Sequence, residues 1–117
     1  MTDEFDIPIF KKGYELYKMF YAFRTTVPKQ EKYTVWQKSE NLILEILEGI
    51  LSASYKQKFE KTPILEKTSL KLNVLRVLIR LMKDIKAIDN KKYSLLEEAI
   101  DEIGRMLGGW LRSTVSR

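Results

Sequence analysis

Residues 70 to 88 read LKLNVLRVLIRLMKDIKAI, and the spacing of their apolar side chains decides the fold. At about 100° per residue, Val77, Leu70, Leu81, Val74, Ile85, Leu78, Met82, Leu75, Ile79 and Leu72 sweep roughly 220° of a helical wheel. A helix in a bundle needs an apolar arc of about 100° or somewhat more. The remaining strip carries Ser69, Asn73, Arg76, Arg80, Lys83 and Ala87 at spacings of three and four. Two readings fit this pattern. Either the helix is central, greasy because two neighbours cover it, with arginines keeping the last face wet. Or one apolar flank, with Leu70, Val74, Val77 and Leu81, docks on another copy while Arg76, Arg80 and Lys83 meet a polyanion.

Working outward, Thr62-Pro63 supplies a cap residue and a proline suited to a first helical turn, so the pattern predicts a third helix from Pro63 to Asp89. The charged stretch KQKFEKT before it reads as a linker. Upstream, Val35, Trp36, Leu42, Ile43, Leu44, Ile46, Leu47, Ile50 and Leu51 predict a second helix over 34–55, again with an apolar arc near 200°. A first helix from Pro8 to Thr26 has an aromatic inner face, including Tyr14, Tyr17, Phe20, Tyr21 and Phe23. It ends before Pro28, because the residue preceding a proline avoids helical dihedrals. Downstream, Asp89-Asn90 reads as a tight turn, and Leu96, Ala99, Ile100, Ile103, Met106, Leu107 and Trp110 predict a fourth helix over 92–112. Gly104 and Gly108 sit one turn apart on its edge; each costs about 1 kcal/mol against alanine in a helix, which close approach of a neighbouring helix would offset. Glu97, Glu98, Asp101 and Glu102 read as a solvated face. Four helices with short connections predict an all-α, antiparallel up-and-down four-helix bundle, one domain over 1–117 with an acidic tail over 1–6.

Composition narrows the chemistry. The 117 residues contain neither cysteine nor histidine, which removes disulfides, thiol nucleophiles, zinc sites with sulfur or imidazole ligands, and histidine acid–base catalysis. The di-metal carboxylate centres of some bundles need Glu-x-x-His pairs, and GRMLGGW inside the fourth helix does not match a phosphate-binding loop. The chain is therefore expected to be no enzyme and to hold no metal or cofactor. Every apolar run is interrupted by charge, so no membrane span is expected, and the acidic start MTDEFDIP is unlike a secretory signal; together these predict a cytoplasmic protein. The net charge is +5, unevenly spread: through Ser54 there are 7 Lys/Arg against 8 Asp/Glu, and from Tyr55 onward 14 against 8. A basic half argues for anionic partners without naming one. The stripe of Arg76, Arg80 and Lys83, with Lys86 and Arg105 nearby, is the candidate surface.

Four segments carry a family likeness: IPIFKKGYELYKMF, VPKQEKYTVWQKSENLILEILEGI, SLKLNVLRVLIRLMKDIKAIDNKKY and EIGRMLGGWLRS. From Ile7 to Ser113 the chain resembles the accessory variability determinant (Avd) family of diversity-generating retroelements, most closely in the third and fourth helices. Bundle proteins encoded by intervening sequences in 23S ribosomal RNA genes share the Pro-Lys-x-Glu-x-Tyr entry at Pro28 to Tyr33. They continue with an Ile-x-x-Asn-Ile-Ala-Glu-Gly pattern where this chain reads SENLILEILEGI, so the likeness favours the retroelement family. That resemblance implies a homopentamer of four-helix protomers that binds RNA and DNA through a basic surface. It also implies association with the element's reverse transcriptase, to support mutagenic cDNA synthesis.

Overall fold

The computed structural model describes residues 3–115, so Met1 and Thr2 of the acidic tail lie outside the described residues. Four long helices account for most of them: α1 (Pro8–Ala22), α2 (Val35–Ser54), α3 (Lys58–Asp84) and α4 (Asn90–Val115). Short helical turns at Glu4–Asp6, Arg24–Thr26 and Lys29–Lys32 fill the connections, and there is no strand among the described residues. The all-α bundle that the periodicity predicts is the fold.

Interhelix contacts fix the order and direction. Along α3 and α4, Thr62 bonds Thr114 at 2.8 Å, Arg76 pairs with Asp101, and the Lys83 ammonium lies 4.7 Å from the Tyr93 ring centroid. As α3 advances, its partners retreat along α4. The same antiparallel progression joins α2 to α3 through Lys71–Glu45 at 3.1 Å and a bond from Lys61 to the Ala53 carbonyl. It joins α1 to α2 through Tyr17–Glu40 and a Phe20–Trp36 stack at 3.7 Å. Lys12–Glu102 closes the square between α1 and α4. Leu16, Phe20, Ile43, Ile46, Ile50, Leu65, Leu72, Leu75, Ile79, Met82, Leu96, Ile100, Ile103 and Leu107 fill the centre.

Both ends of α3 differ from the sequence expectation. The helix begins five residues before Pro63, because Gln57 caps it in a reciprocal box with Glu60 and satisfies two otherwise orphaned donors. KQKFEKT is thus mostly first turns, not linker. Pro63 sits inside the helix, where its missing N–H releases the carbonyl of exposed Phe59. At the other end α3 stops at Asp84 instead of Asp89. The amide of Ala87 bonds the Met82 carbonyl at 2.8 Å and that of Lys86 bonds Lys83 at 3.0 Å, a Schellman closure whose left-handed residue is Lys86, at φ 64°. Continued helix would have turned Ile88 outward, whereas the closure buries Ala87 and Ile88. Asp89 then caps α4, accepting the Lys92 amide at 2.8 Å.

The glycines of α4 part company. A Cβ at Gly104 would stand 3.1 Å from Arg76 Nη2 and 3.5 Å from Leu72 of α3, so this glycine admits the crossing arginine. Gly108 meets only Arg112 of its own helix, so no neighbouring helix of the protomer approaches it. The tight helix approach lies elsewhere, at Gly49 of α2, where a Cβ would overlap the Thr68 hydroxyl of α3.

Candidate nucleic-acid interface

The α3 stripe is largely engaged within the protomer. Arg76, half-buried, reaches across Gly104 to pair with Asp101 of α4. Arg80 bonds Asp84 one turn on in its own helix at 3.3 Å, and that bond first, then the carboxylate's charge, raises its pKa. Lys83 lies over the Tyr93 ring, a placement that uses the ring's negative face. The Tyr93 hydroxyl donates to Glu97 at 2.6 Å, which pushes its own pKa up. Lys86 and Arg105 are exposed and make no ion pair among the described residues. Arg105 borders a shallow α3–α4 groove with Ser69, Asn73, Arg76 and Asp101. Arg76, Arg80 and Lys83 therefore share a strip, as the wheel predicts, but carboxylates offset two of the three charges. The acidic face of α4 is correspondingly less solvated than its pattern suggests: Asp101 holds Arg76, Glu102 holds Lys12 and Glu97 holds Tyr93.

The net positive charge collects at one end of the bundle. Antiparallel packing brings the α1–α2 connection and the α3–α4 connection together there. Thr26 shares an open pocket of about 640 Å³ with Lys83, Lys86, Asp89 and Lys92, and the Lys92 ammonium lies 5.7 Å from the Phe23 ring. Residues 24–34 and 83–92 hold seven cations, Arg24, Lys29, Lys32, Lys83, Lys86, Lys91 and Lys92, against Glu31, Asp84 and Asp89. That is a formal +4 of the chain's +5. The opposite end gathers Asp3, Glu4, Asp6 and Glu60 around Lys56, Lys58, Lys61 and Arg112, and Tyr55 bonds Glu4 there at 2.9 Å.

Two of the polar cations sit where local folding disfavours them. Lys86 takes the left-handed position that helix ends reserve for glycine or asparagine. Lys91 lies in the first turn of α4, at the positive end of the helix dipole, where anionic side chains are preferred. Lys92 is steadied by Asp89 at 3.2 Å. That aspartate's pKa is lowered, first by the backbone N–H of Lys92 and then by its ammonium. Five of the seven cations, Arg24, Lys29, Lys32, Lys91 and Lys92, escape a reading of the α3 stripe. Their signal in the sequence is the surplus of cations in two connections far apart along the chain.

Among the described residues no group of three or more acidic side chains is placed to hold a metal ion, and no helix is long and apolar enough to cross a membrane. One family profile, described as bAvd-like, matches residues 8–114. No curated protein matches the chain.

Proposed function

The chain belongs to the bAvd-like family, and from that membership we propose that it is the non-enzymatic accessory protein of a diversity-generating retroelement. It binds RNA and DNA without reading sequence, associates with the element's reverse transcriptase in the cytoplasm, and supports mutagenic cDNA synthesis. The working form is a homo-oligomer, a pentamer as the family resemblance implies. The polymerase supplies the chemistry, and this protein contributes binding and organisation.

The observation that carries the nucleic-acid part is the concentration of +4 at one end of the bundle, including cations held at positions that folding alone disfavours. Phosphate contacts position a nucleic acid without specifying its sequence, and Lys and Arg side chains that displace condensed counterions make the affinity strongly salt-dependent. Of the exposed aromatic side chains, Phe5, Tyr55 and Phe59 lie near the opposite end, whereas Tyr33, 72% exposed, lies in the pole's own connection and Tyr21 close to it, so a stacked base can add to the phosphate contacts there without reading sequence. The bound surface is therefore the pole rather than the α3 stripe, with Lys83 and Lys86 common to both.

The test titrates the purified protein with labelled RNA and DNA of equal length across a salt series. The expected result is similar affinity for both and a steep, linear fall of log affinity with log salt. Salt-independent binding, or binding of one short sequence far above all others, contradicts the proposal. Co-purification with the reverse transcriptase of the same element tests the second association.

A further inference from the structure

Resting on the nucleic-acid reading just proposed, we infer that the recess at the basic pole holds a terminal phosphate group, with Lys83, Lys86 and Lys92 as its cationic partners. The ligand chemistry is that of a phosphate monoester, carried by a free nucleotide or by the 5′-phosphorylated end of a strand.

Both connections of the pole build the recess. Thr26 enters from the α1–α2 side, the end of α3 and the start of α4 supply the rest, and Ala87 and Ile88, both buried, are part of the lining. Its volume of about 640 Å³ falls within the range of about 300–1,000 Å³ found for small-ligand sites. It therefore has room for more than a bare phosphate. The three lysines that line it are held in place. Lys83 is half-buried, with its ammonium 4.7 Å from the Tyr93 ring centroid. Lys92, its side chain 23% exposed, is bound by Asp89 at 3.2 Å and lies 5.7 Å from the Phe23 ring. Lys86 is placed by the left-handed backbone that closes α3, at φ 64°. An ammonium has three donors, and a contact with a ring face is electrostatic and uses no acceptor atom, so donors remain for an anion. Cations ordered in advance lower the cost of binding one.

Charge selects the kind of phosphate. Two carboxylates, Asp84 and Asp89, also line the recess. Arg80 holds the first at 3.3 Å and Lys92 the second, so Arg80, Lys83, Lys86 and Lys92 face two anions and a formal +2 remains. A phosphodiester inside a strand carries a single negative charge, whereas a monoester carries about 1.5 to 2 at pH 7. The recess thus matches a phosphate end better than the middle of a strand. Arg24, Lys29, Lys32 and Lys91 lie at the same pole but do not line the recess. They suit the phosphates that follow along the strand.

Fluorescence anisotropy with a 3′-labelled single-stranded RNA compares its 5′-hydroxyl and 5′-phosphate forms, and calorimetry compares adenosine 5′-monophosphate with adenosine. The expected gain from the terminal phosphate is roughly 4- to 15-fold near 0.15 M salt, for one to two further charges neutralised at a slope of about 0.7 each. Lys83→Gln with Lys86→Asn should abolish that gain, and Lys86→Asn alone, which suits the left-handed backbone, should reduce it. Lys29→Gln with Lys32→Gln should weaken both RNA forms alike and keep the gain. Circular dichroism confirms the helices of each variant. A gain for the RNA supports the recess as a seat for strand ends; binding of the monophosphate without that gain supports it as a seat for free nucleotides. Equal affinity for the two RNA forms, together with no binding of the monophosphate, overturns the inference and leaves strand binding at the pole intact. A gain that survives the Lys83/Lys86 variant overturns the location. Failure of the native protein to bind any of these RNAs refutes the underlying reading instead.

Discussion

Neutralising Lys86 and Lys91 together separates binding from folding. Lys86→Asn removes a charge while supplying a residue that tolerates the left-handed backbone found there. Lys91→Gln removes a cation from the positive end of α4, so stability should hold or rise slightly. Binding should fall. For single-stranded nucleic acid each phosphate contact contributes about 0.7 to the slope of log affinity against log salt. Between 1 M and 0.15 M salt one contact is then worth about 4-fold and two about 15-fold, or ~1.6 kcal/mol, for each protomer engaged. Fluorescence anisotropy with a labelled RNA at several salt concentrations measures both quantities. The expected result is a 15-fold or greater loss near 0.15 M and a slope shallower by about 1.4. The matched control, Arg76→Gln with Arg80→Gln, removes two charges already engaged by Asp101 and Asp84, and its loss should be clearly smaller. Equal losses from both pairs would show that net charge alone sets affinity, and an unchanged slope in the Lys86/Lys91 variant would refute phosphate contact at the pole.

Gly49→Ala places a methyl against the hydroxyl of buried, β-branched Thr68. Overpacking of about 1–3 kcal/mol should outweigh a helix gain of about 1 kcal/mol, lowering Tm by several degrees at fixed protein concentration. Adding Thr68→Ala should restore most of the loss; an unchanged Tm in Gly49→Ala alone would remove the close approach. Gly108→Ala meets only the flexible end of Arg112 and should raise Tm by about 4 °C for a gain near 1 kcal/mol, whereas a fall would reveal another copy packed there. Asp89 has a lowered pKa in the folded chain, so its contribution is complete above the ordinary carboxylate range and is lost as pH falls through the folded value. The Tm difference between the native protein and Asp89→Ala should therefore be full at neutral pH and shrink towards zero in acid; a difference independent of pH would contradict the linkage.

Periodicity alone determined that this chain is a four-helix bundle, because burying one stripe per helix at 3.6-residue spacing is a local demand written into each segment. It also showed that α2 and α3 carry more apolar surface than one bundle consumes. Tertiary packing decided which part of the surplus stays outside: Leu72, Leu75, Ile79 and Met82 point inward while Leu70, Val74, Val77 and Leu81 are left bare. A wheel cannot reveal this division, because every residue in a 220° arc looks equally apolar until the neighbouring helices take their places. The ends of α3 were illegible for a related reason. Gln57 is a weak cap in isolation and Lys86 an unlikely left-handed residue, and only the capping box and the burial of Ala87 and Ile88 explain them. The sequence likewise displayed Arg76 and Arg80 as free cations. The carboxylate that binds Arg76 lies 25 residues away on α4, and the cations of the pole come from two connections some 60 residues apart. Electrostatic surfaces are sums over space, and only the antiparallel fold brings those distant charges to one end.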